Sequence, residues 1–399
     1  MSVADILDMQ DQAAVANPYP IYSQLRESGE LIWSDRLQMW LAPTHATANA
    51  VLRAKTMGRL YNPLEPQNEW DIFNWLHSDS ILDSEPPKHT RLRSLVQKAF
   101  TPGRINALQP NITQLCEQLL DQAEAKLKSE GQFDILADYA EPLPVLVIAD
   151  LLGVPREMAD DLRRWSQDIV KMYEFGRTRE QELAAQQSSA DFVSYISTLA
   201  AQRKIEPQND LITALVEVEE QGEKLNEHEL IAMCVLLLNA GHEASVNGFG
   251  NGMVALFRNP DQLELLAGEP RKYAQTALEE FMRFDSPLHF FDRTATADTQ
   301  IGNVTVKAGD KAGAMLGSAN RDGSVFENVD TFDITRESNP HIAFGAGIHF
   351  CIGAPLARLE MHTSLPMLFE RFPQLKLAGT PVQRPTFVLR GWESIPAKV

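Results

Sequence analysis

Cysteine is nearly absent. The three in 399 residues, Cys116, Cys234 and Cys351, are too few and too scattered for a disulfide framework or a zinc site, and they suit a reducing compartment. Positive charge is also short. With 36 Lys and Arg against 54 Asp and Glu, the net charge is −18, which argues against nucleic acid or an anionic membrane as partner, since phosphate binding needs a dominant basic surface. The most apolar run, 230–240, is far too short to span a bilayer. The N-terminus, Met1-Ser2-Val3-Ala4 onwards, shows neither the basic nor the apolar region of a signal peptide. A cytoplasmic chain with no membrane partner is therefore expected. No repeat, low-complexity tract or linker divides the sequence, so one domain over 1–399 is expected, and 44% apolar residues can supply its core.

What is present concentrates around one cysteine. The stretch Phe344-Gly-Ala-Gly-Ile-His-Phe-Cys-Ile-Gly-Ala-Pro-Leu-Ala-Arg-Leu-Glu360 places a Gly-rich loop before Cys351 and an apolar-periodic helix after it. A cysteine at a helix N-terminus meets unpaired N–H groups and the positive end of the dipole, which favour a thiolate. Gly345, Gly347 and Gly353 permit tight folding, so that a flat ligand can lie close. A lone cysteine is otherwise a small buried hydrophobe.

A second feature is a long helix. Asn226-Glu-His-Glu229 has capping-box spacing, and no proline follows until Pro260. About 32 residues at 1.5 Å each give roughly 48 Å. At its centre stands Ala240-Gly-His-Glu-Ala-Ser245. A glycine and a carboxylate inside a buried helix are locally costly. They are explained either by chemistry or by a packing contact with the Glu paired to a basic side chain.

Elsewhere the pattern reads as short helices at 20–26 and 45–52, strands at 31–33 and 39–41, and mostly helix over 105–220. Strands with turns at Gly302-Asn303 and 308–310 follow Arg293. From Gly58 to Glu85 periodicity is lost among prolines and aromatics, which reads as an irregular loop, either functional or a plain surface loop. A basic helix over about 89–100 puts His89 and Arg93 four apart on one face, where they can bind paired carboxylates or simply meet water. Lys88, Arg91 and Lys98 beside them suit an acidic protein partner. Glu280 and Arg283 alone read as an ordinary i, i+3 pair. Pro366 should kink or end the helix after Cys351.

Phe-Gly-x-Gly-x-His-x-Cys-x-Gly with Leu-Ala-Arg-x-Glu, matched at every position from Phe344 to Glu360, resembles the haem-thiolate loop of the cytochrome P-450 family. The resemblance extends from about Pro18 to Pro396. It implies a mainly α-helical domain with small β-sheets, holding haem between the long central helix and the helix following the cysteine loop. Cys351 would be the axial ligand of iron in heme b, next to Phe344. His89, Arg93, Arg293 and His349 would bind the propionates. Glu280, Arg283 and Arg336 resemble the family's structural ion-pair motif. Ala240, Gly241, Leu288, Phe290, Phe291 and Leu389 would line the substrate, and 160–205 would form its lid.

The central helix resembles the oxygen-activation segment except at Ala244, where most members carry a threonine that helps deliver protons. Glu-Ala-Ser in this place is similar to a macrolide-oxidising branch, which implies that Glu243, Ser245, water and a substrate hydroxyl carry protons; His242 then only packs. The implied reaction inserts one oxygen atom from O2 into a small apolar organic substrate, by hydroxylation or epoxidation, with a hydroxyl-bearing natural product as the finer expectation. Electrons would come from NAD(P)H through a reductase and a ferredoxin-type iron–sulfur protein, and a monomer is expected. The rival readings are a peroxide-driven oxygenase, which typically carries an Arg-Pro pair missing from this helix, and a non-enzymatic haem protein.

Overall fold

A capping box starts the longest element. Asn226 Oδ1 accepts the Glu229 N–H at 2.9 Å, and Glu229 Oε2 accepts the Asn226 N–H at 3.0 Å, satisfying two donors that a helix start leaves open. The helix then runs 32 residues, Glu227–Arg258, and the next helix begins at Pro260. It is long and apolar enough to cross a membrane by length and composition, more so than the run 230–240 alone suggests, yet 78% of the relevant stretch is buried inside the protein.

The structure, a computed structural model, describes residues 3–219 and 222–399. It is mainly helical with small sheets. Its contacts form two compact units: Met1–Gly58 with Thr113–Glu141 and Ala244–Val399, and Arg59–Ile112 with Pro142–Glu243. The change from one to the other at Ala244 falls within the central helix.

The first unit carries the sheets. A five-stranded sheet has the order Ile32–Ser34, Met39–Ala42, Lys311–Ala314, Phe291–Ala295, Met57–Gly58. The second and third strands are parallel and the other neighbours antiparallel. The helix His45–Arg53, whose Thr44 cap accepts the Thr47 N–H, packs Ala48, Val51 and Leu52 into the core beside Ala312, Ala314 and Leu316. Each large apolar side chain so buried contributes about 1.5–3 kcal/mol. Expected turns fall at Gly302 (φ 56°) and Gly309 (φ 90°), and an antiparallel pair, Val382–Gln383 with Trp392–Ser394, precedes the last strand, Pro396–Lys398. Of the two outcomes expected at Pro366, an end of the helix does not occur. The helix Ala354–Arg371 carries on through Pro366. Leu365 to Phe369 are buried there, so packing outweighs the backbone bond that proline removes.

The second unit is helical, with Gln67–Ser78, Lys88–Ala99, Pro142–Leu152, Ala159–Val170 and Arg179–Ile205. The helix Gln67–Ser78 corrects the expectation of an irregular 58–85 loop. Its buried residues are Trp70, Phe73, Asn74, Leu76 and His77, two of the five being polar. The Asn74 amide is satisfied by the Leu64 backbone and the Tyr61 hydroxyl. The His77 ring stacks on Phe73 at 4.1 Å. Polar residues so paired fill a core face at little cost, and they break the apolar period that reveals a helix.

Candidate active site

The cysteine loop closes on itself before the helix begins. The Cys351 N–H donates to the Phe344 carbonyl at 3.0 Å, and the Phe350 N–H donates to the Gly347 carbonyl at 3.2 Å. Gly347 is required twice over. Its φ is 71°, and a Cβ there would lie 2.4 Å from the Leu52 carbonyl oxygen, so the loop lies flush against the His45–Arg53 helix. Cys351 is half-buried, while Cys116 and Cys234 are fully buried. Burial pushes both of those thiols up to about 12, which leaves them inert. Cys351 is thus the candidate ligand thiol. His349 beside it is half-buried, and Ile348 and Phe350 are exposed.

On the central helix, the pattern of exposure is unusual for a core element. Ala240 is exposed and Gly241, Ala244 and Ser245 are half-buried, whereas Asn239, His242, Glu243 and Val246 are buried. The open positions recur at i, i+1, i+4 and i+5, which is one face, and all are small. Gly241 packs on Ile148, whose Cδ1 would be 3.1 Å from an added Cβ. The Glu243 carboxylate is 3.7 Å from His242 Nδ1, both side chains being almost wholly buried.

The cationic candidates are also buried. His89 is 2% exposed on Lys88–Ala99, with Arg93 half-buried one turn on. Arg293 is 2% exposed, donates to the Asp292 carbonyl at 2.9 Å and lies 4.6 Å from the Phe291 ring. Two residues expected to dock an acidic partner are spent within the chain. Lys88 Nζ bonds Asp79 at 2.5 Å, and Arg91 grips Glu229, the capping-box carboxylate, through both terminal nitrogens. Leu288 and Leu389 form a β-bridge, and the adjacent His289 N–H donates to the Val388 carbonyl at 2.9 Å. Phe290 is buried against Gly313, where an added Cβ would come within 2.1 Å of the ring. Phe291 stands half-buried on the neighbouring strand.

This donor set fits haem. It offers one accessible thiol on a loop without room for side chains, buried cationic donors suited to carboxylates, and an open helix face of small residues that a planar group can cover. A family model described as cytochrome P450 matches residues 44–388. The chain belongs to the cytochrome P450 family. It is 43% identical to the polyketide biosynthesis cytochrome P450 PksS of Bacillus subtilis over 399 residues, covering 96% of each protein. It is also 43% identical to cytochrome P450 107B1 of Saccharopolyspora erythraea over 323 residues, 80% of this chain and 76% of that one. Among solved structures, P450BioI bound to an acyl carrier protein ligated with hexadec-9Z-enoic acid superposes with a TM-score of 0.91 at 34% identity, covering 97% of this chain and 99% of that one. The protein is therefore a P450 monooxygenase, using haem, O2 and electrons from NAD(P)H delivered by redox partners to oxidise a small molecule.

The first unit also contains a buried ion cluster. Arg283, wholly buried, donates Nε and Nη2 to the two Glu280 oxygens at 2.7 Å each. Its remaining protons go to the carbonyls of Asn320, Val329 and Thr331. Glu280 further accepts Arg336 Nε at 3.2 Å, Asn339 Nδ2 at 3.1 Å and the Asp333 N–H at 3.0 Å. Every Arg283 donor is used, which is the condition for burying such a charge.

Sequence reasoning missed two groups. Glu279, Arg358 and His341 form a second cluster beside the cysteine loop. Arg390 donates Nε to Asp285 at 2.8 Å, and Asp285 also accepts the Tyr19 hydroxyl at 2.5 Å. Asp285 is held well below the carboxylate range; burial opposes this, but Arg390, His289 and Tyr19 outweigh it. The partners lie far apart in sequence and belong to no spacing rule.

Proposed function

We propose that this P450 oxidises an apolar, hydroxyl-bearing natural product of polyketide or terpenoid type, with Cys351 as the axial ligand and His89, Arg93, Arg293 and His349 holding the propionates. Haem bound in this way supplies the oxygen-activating chemistry of the family, the insertion of one atom of O2 into a C–H or C=C bond. The protein's own residues hold the ligand, position the substrate and meter protons. The observation that carries the finer reading is Ala244, half-buried on the open face of the central helix where a hydroxyl would otherwise serve. Alanine moves no proton, so Ser245 Oγ and the Glu243 carboxylate hold and pass protons together with water and a hydroxyl on the substrate. Leu288 and Leu389, joined by their bridge, give the substrate an apolar wall. The name of the PksS relative supports a polyketide-type substrate. A ferredoxin-type donor and a cytoplasmic setting complete the proposal, with the chain acting as one catalytic domain.

The test is a spectral titration of the haem-loaded protein with macrolactones and terpenoids, each matched to its deoxy analogue. Displacement of iron-bound water shifts the Soret band and reports binding. Hydroxylated members should bind tighter and be turned over with less peroxide released, and Glu243→Gln with Ser245→Ala should lower turnover about 10²-fold. Equal turnover of the deoxy series, with both variants fully active, would sink the proton-delivery reading.

A further inference from the structure

Beside the cysteine loop lies an ion pair to which the reaction as described gives no part. Arg358, on the helix that follows Cys351, donates Nε and Nη2 to the two Glu279 oxygens at 2.6 and 2.9 Å. Glu279 Oε2 also takes the Nε2 proton of His341 at 2.8 Å. The tautomer is fixed by geometry, because His341 Nδ1 accepts the Ala343 N–H at 3.2 Å and so cannot carry the proton. The Arg358 guanidinium lies 4.5 Å from the Phe344 ring centroid. Phe344 is the residue whose carbonyl receives the Cys351 N–H. Arg358 is held in its charged form chiefly by the hydrogen bond to Glu279, against partial burial. Cation, ring and sulfur-bearing residue therefore form one local unit, and Glu279 is the carboxylate that balances it.

We propose that Glu279 is a positioning residue that sets how strongly Cys351 donates electrons, by neutralising the Arg358 cation beside the cysteine loop. A cation near a thiolate draws on its electron density, and a carboxylate locked to that cation cancels much of the pull. The proposal rests on Cys351 being the axial ligand. It predicts opposite signs for the two halves of the pair. Without the carboxylate, the uncompensated guanidinium stabilises the extra electron of the reduced state, and the midpoint potential rises. Without the guanidinium, the remaining carboxylate opposes that electron, and the potential falls. A bond that merely holds the fold together would move both variants the same way.

The experiment measures the ferric–ferrous midpoint potential of the haem-loaded protein in wild type, Glu279→Gln, Arg358→Gln and the double variant, with a thermal melt of each. Glu279→Gln should shift the ferric-to-ferrous ratio at fixed potential about tenfold towards ferrous, a rise of about 59 mV for one electron. Arg358→Gln should shift it in the opposite direction, and the double variant should return close to wild type. Glu279→Asp keeps the charge and should leave the potential in place, so the Gln and Asp variants decide the matter even if Arg358→Gln does not fold. Shifts of the same sign, no shift in Glu279→Gln, or failure of both Glu279 variants to take up haem would each overturn the proposal. The wild-type carbon monoxide difference spectrum is read first. A band without thiolate character would refute ligation by Cys351 itself, which is a separate outcome.

Discussion

Glu279 and Glu280 are adjacent on one helix, Pro270–Phe284, yet their carboxylates meet different fates. Glu280 is wholly buried and receives two arginines, an asparagine and a backbone N–H. Glu279 is 26% exposed and pairs with an arginine that is 33% exposed and with the buried His341 ring. One residue of separation rotates a side chain by about 100° on a helix. That rotation takes one carboxylate into the core and leaves the other beside the cysteine loop at the rim. In the buried cluster every Arg283 donor is matched, three of them by backbone carbonyls of Asn320, Val329 and Thr331, so it fixes where the 320–331 backbone runs. The rim cluster retains contact with water, so its charges stabilise little while still exerting a field on their neighbour. Burial, more than the identity of the ion pair, assigns the role.

The strongest way to break this contrast is to remove one partner from the buried cluster. Glu280→Ala leaves the Arg283 guanidinium in the core without its carboxylate, at a cost of about 3–5 kcal/mol. Urea unfolding of the purified variant should show a midpoint lowered accordingly, with loss of haem uptake. A change within about 1 kcal/mol would mean that the pair stabilises no more than a surface bridge does.

Glu360 extends the contrast to a buried carboxyl with no cation paired to it among the described residues. It is 4% exposed on the helix after the cysteine loop, and burial pushes its carboxyl up to about 8. A folded value raised above the unfolded one of about 4.5 contributes stability in full below pH 4.5 and loses it as pH rises through about 8. Glu360→Gln has no proton to lose. It should remove the decline of about 4 kcal/mol that wild type shows between those limits. Parallel stability profiles for the two proteins from pH 5 to about 8 would show that this carboxyl is not held neutral.

How much of this was legible depends on sequence distance. The cysteine loop is contiguous, so its glycines and Cys351 stand out together and the family motif could be matched there, and the capping box with the run free of proline up to Pro260 marked the central helix, Glu227–Arg258. The Gln67–Ser78 helix was hidden because Asn74 and His77 occupy its core face, and a period of apolar residues does not register them. Pro366 does not end its helix because tertiary packing holds the segment after it. The pairing of Lys88 and Arg91 on the basic helix is not legible because folding brings Asp79 and Glu229 to them. Glu279 escaped notice for the same reason: its partners lie 62 and 79 residues away. Its neighbour Glu280 was found only because the family motif names it.

The smallest effect is the acid limb of Glu279. Burial raises its carboxyl, but Arg358 and then His341 lower it further, down to about 2. A folded value depressed below the unfolded one of 4.5 gives stability that is present above pH 4.5 and is lost as pH falls through about 2. Solvent screening of a part-exposed pair limits that contribution to about 1 kcal/mol. Thermal melts of wild type and Glu279→Gln should therefore differ by a few degrees at most at pH 7 and converge as pH falls from 4.5 towards 2. Salt separates the two neighbours further. High ionic strength should erase most of the Glu279 difference, because its charges are within reach of counterions, and leave the Glu280→Ala deficit standing. Equal salt sensitivity in both would mean that the two carboxylates share one environment, and that rotation about the helix does not explain their roles.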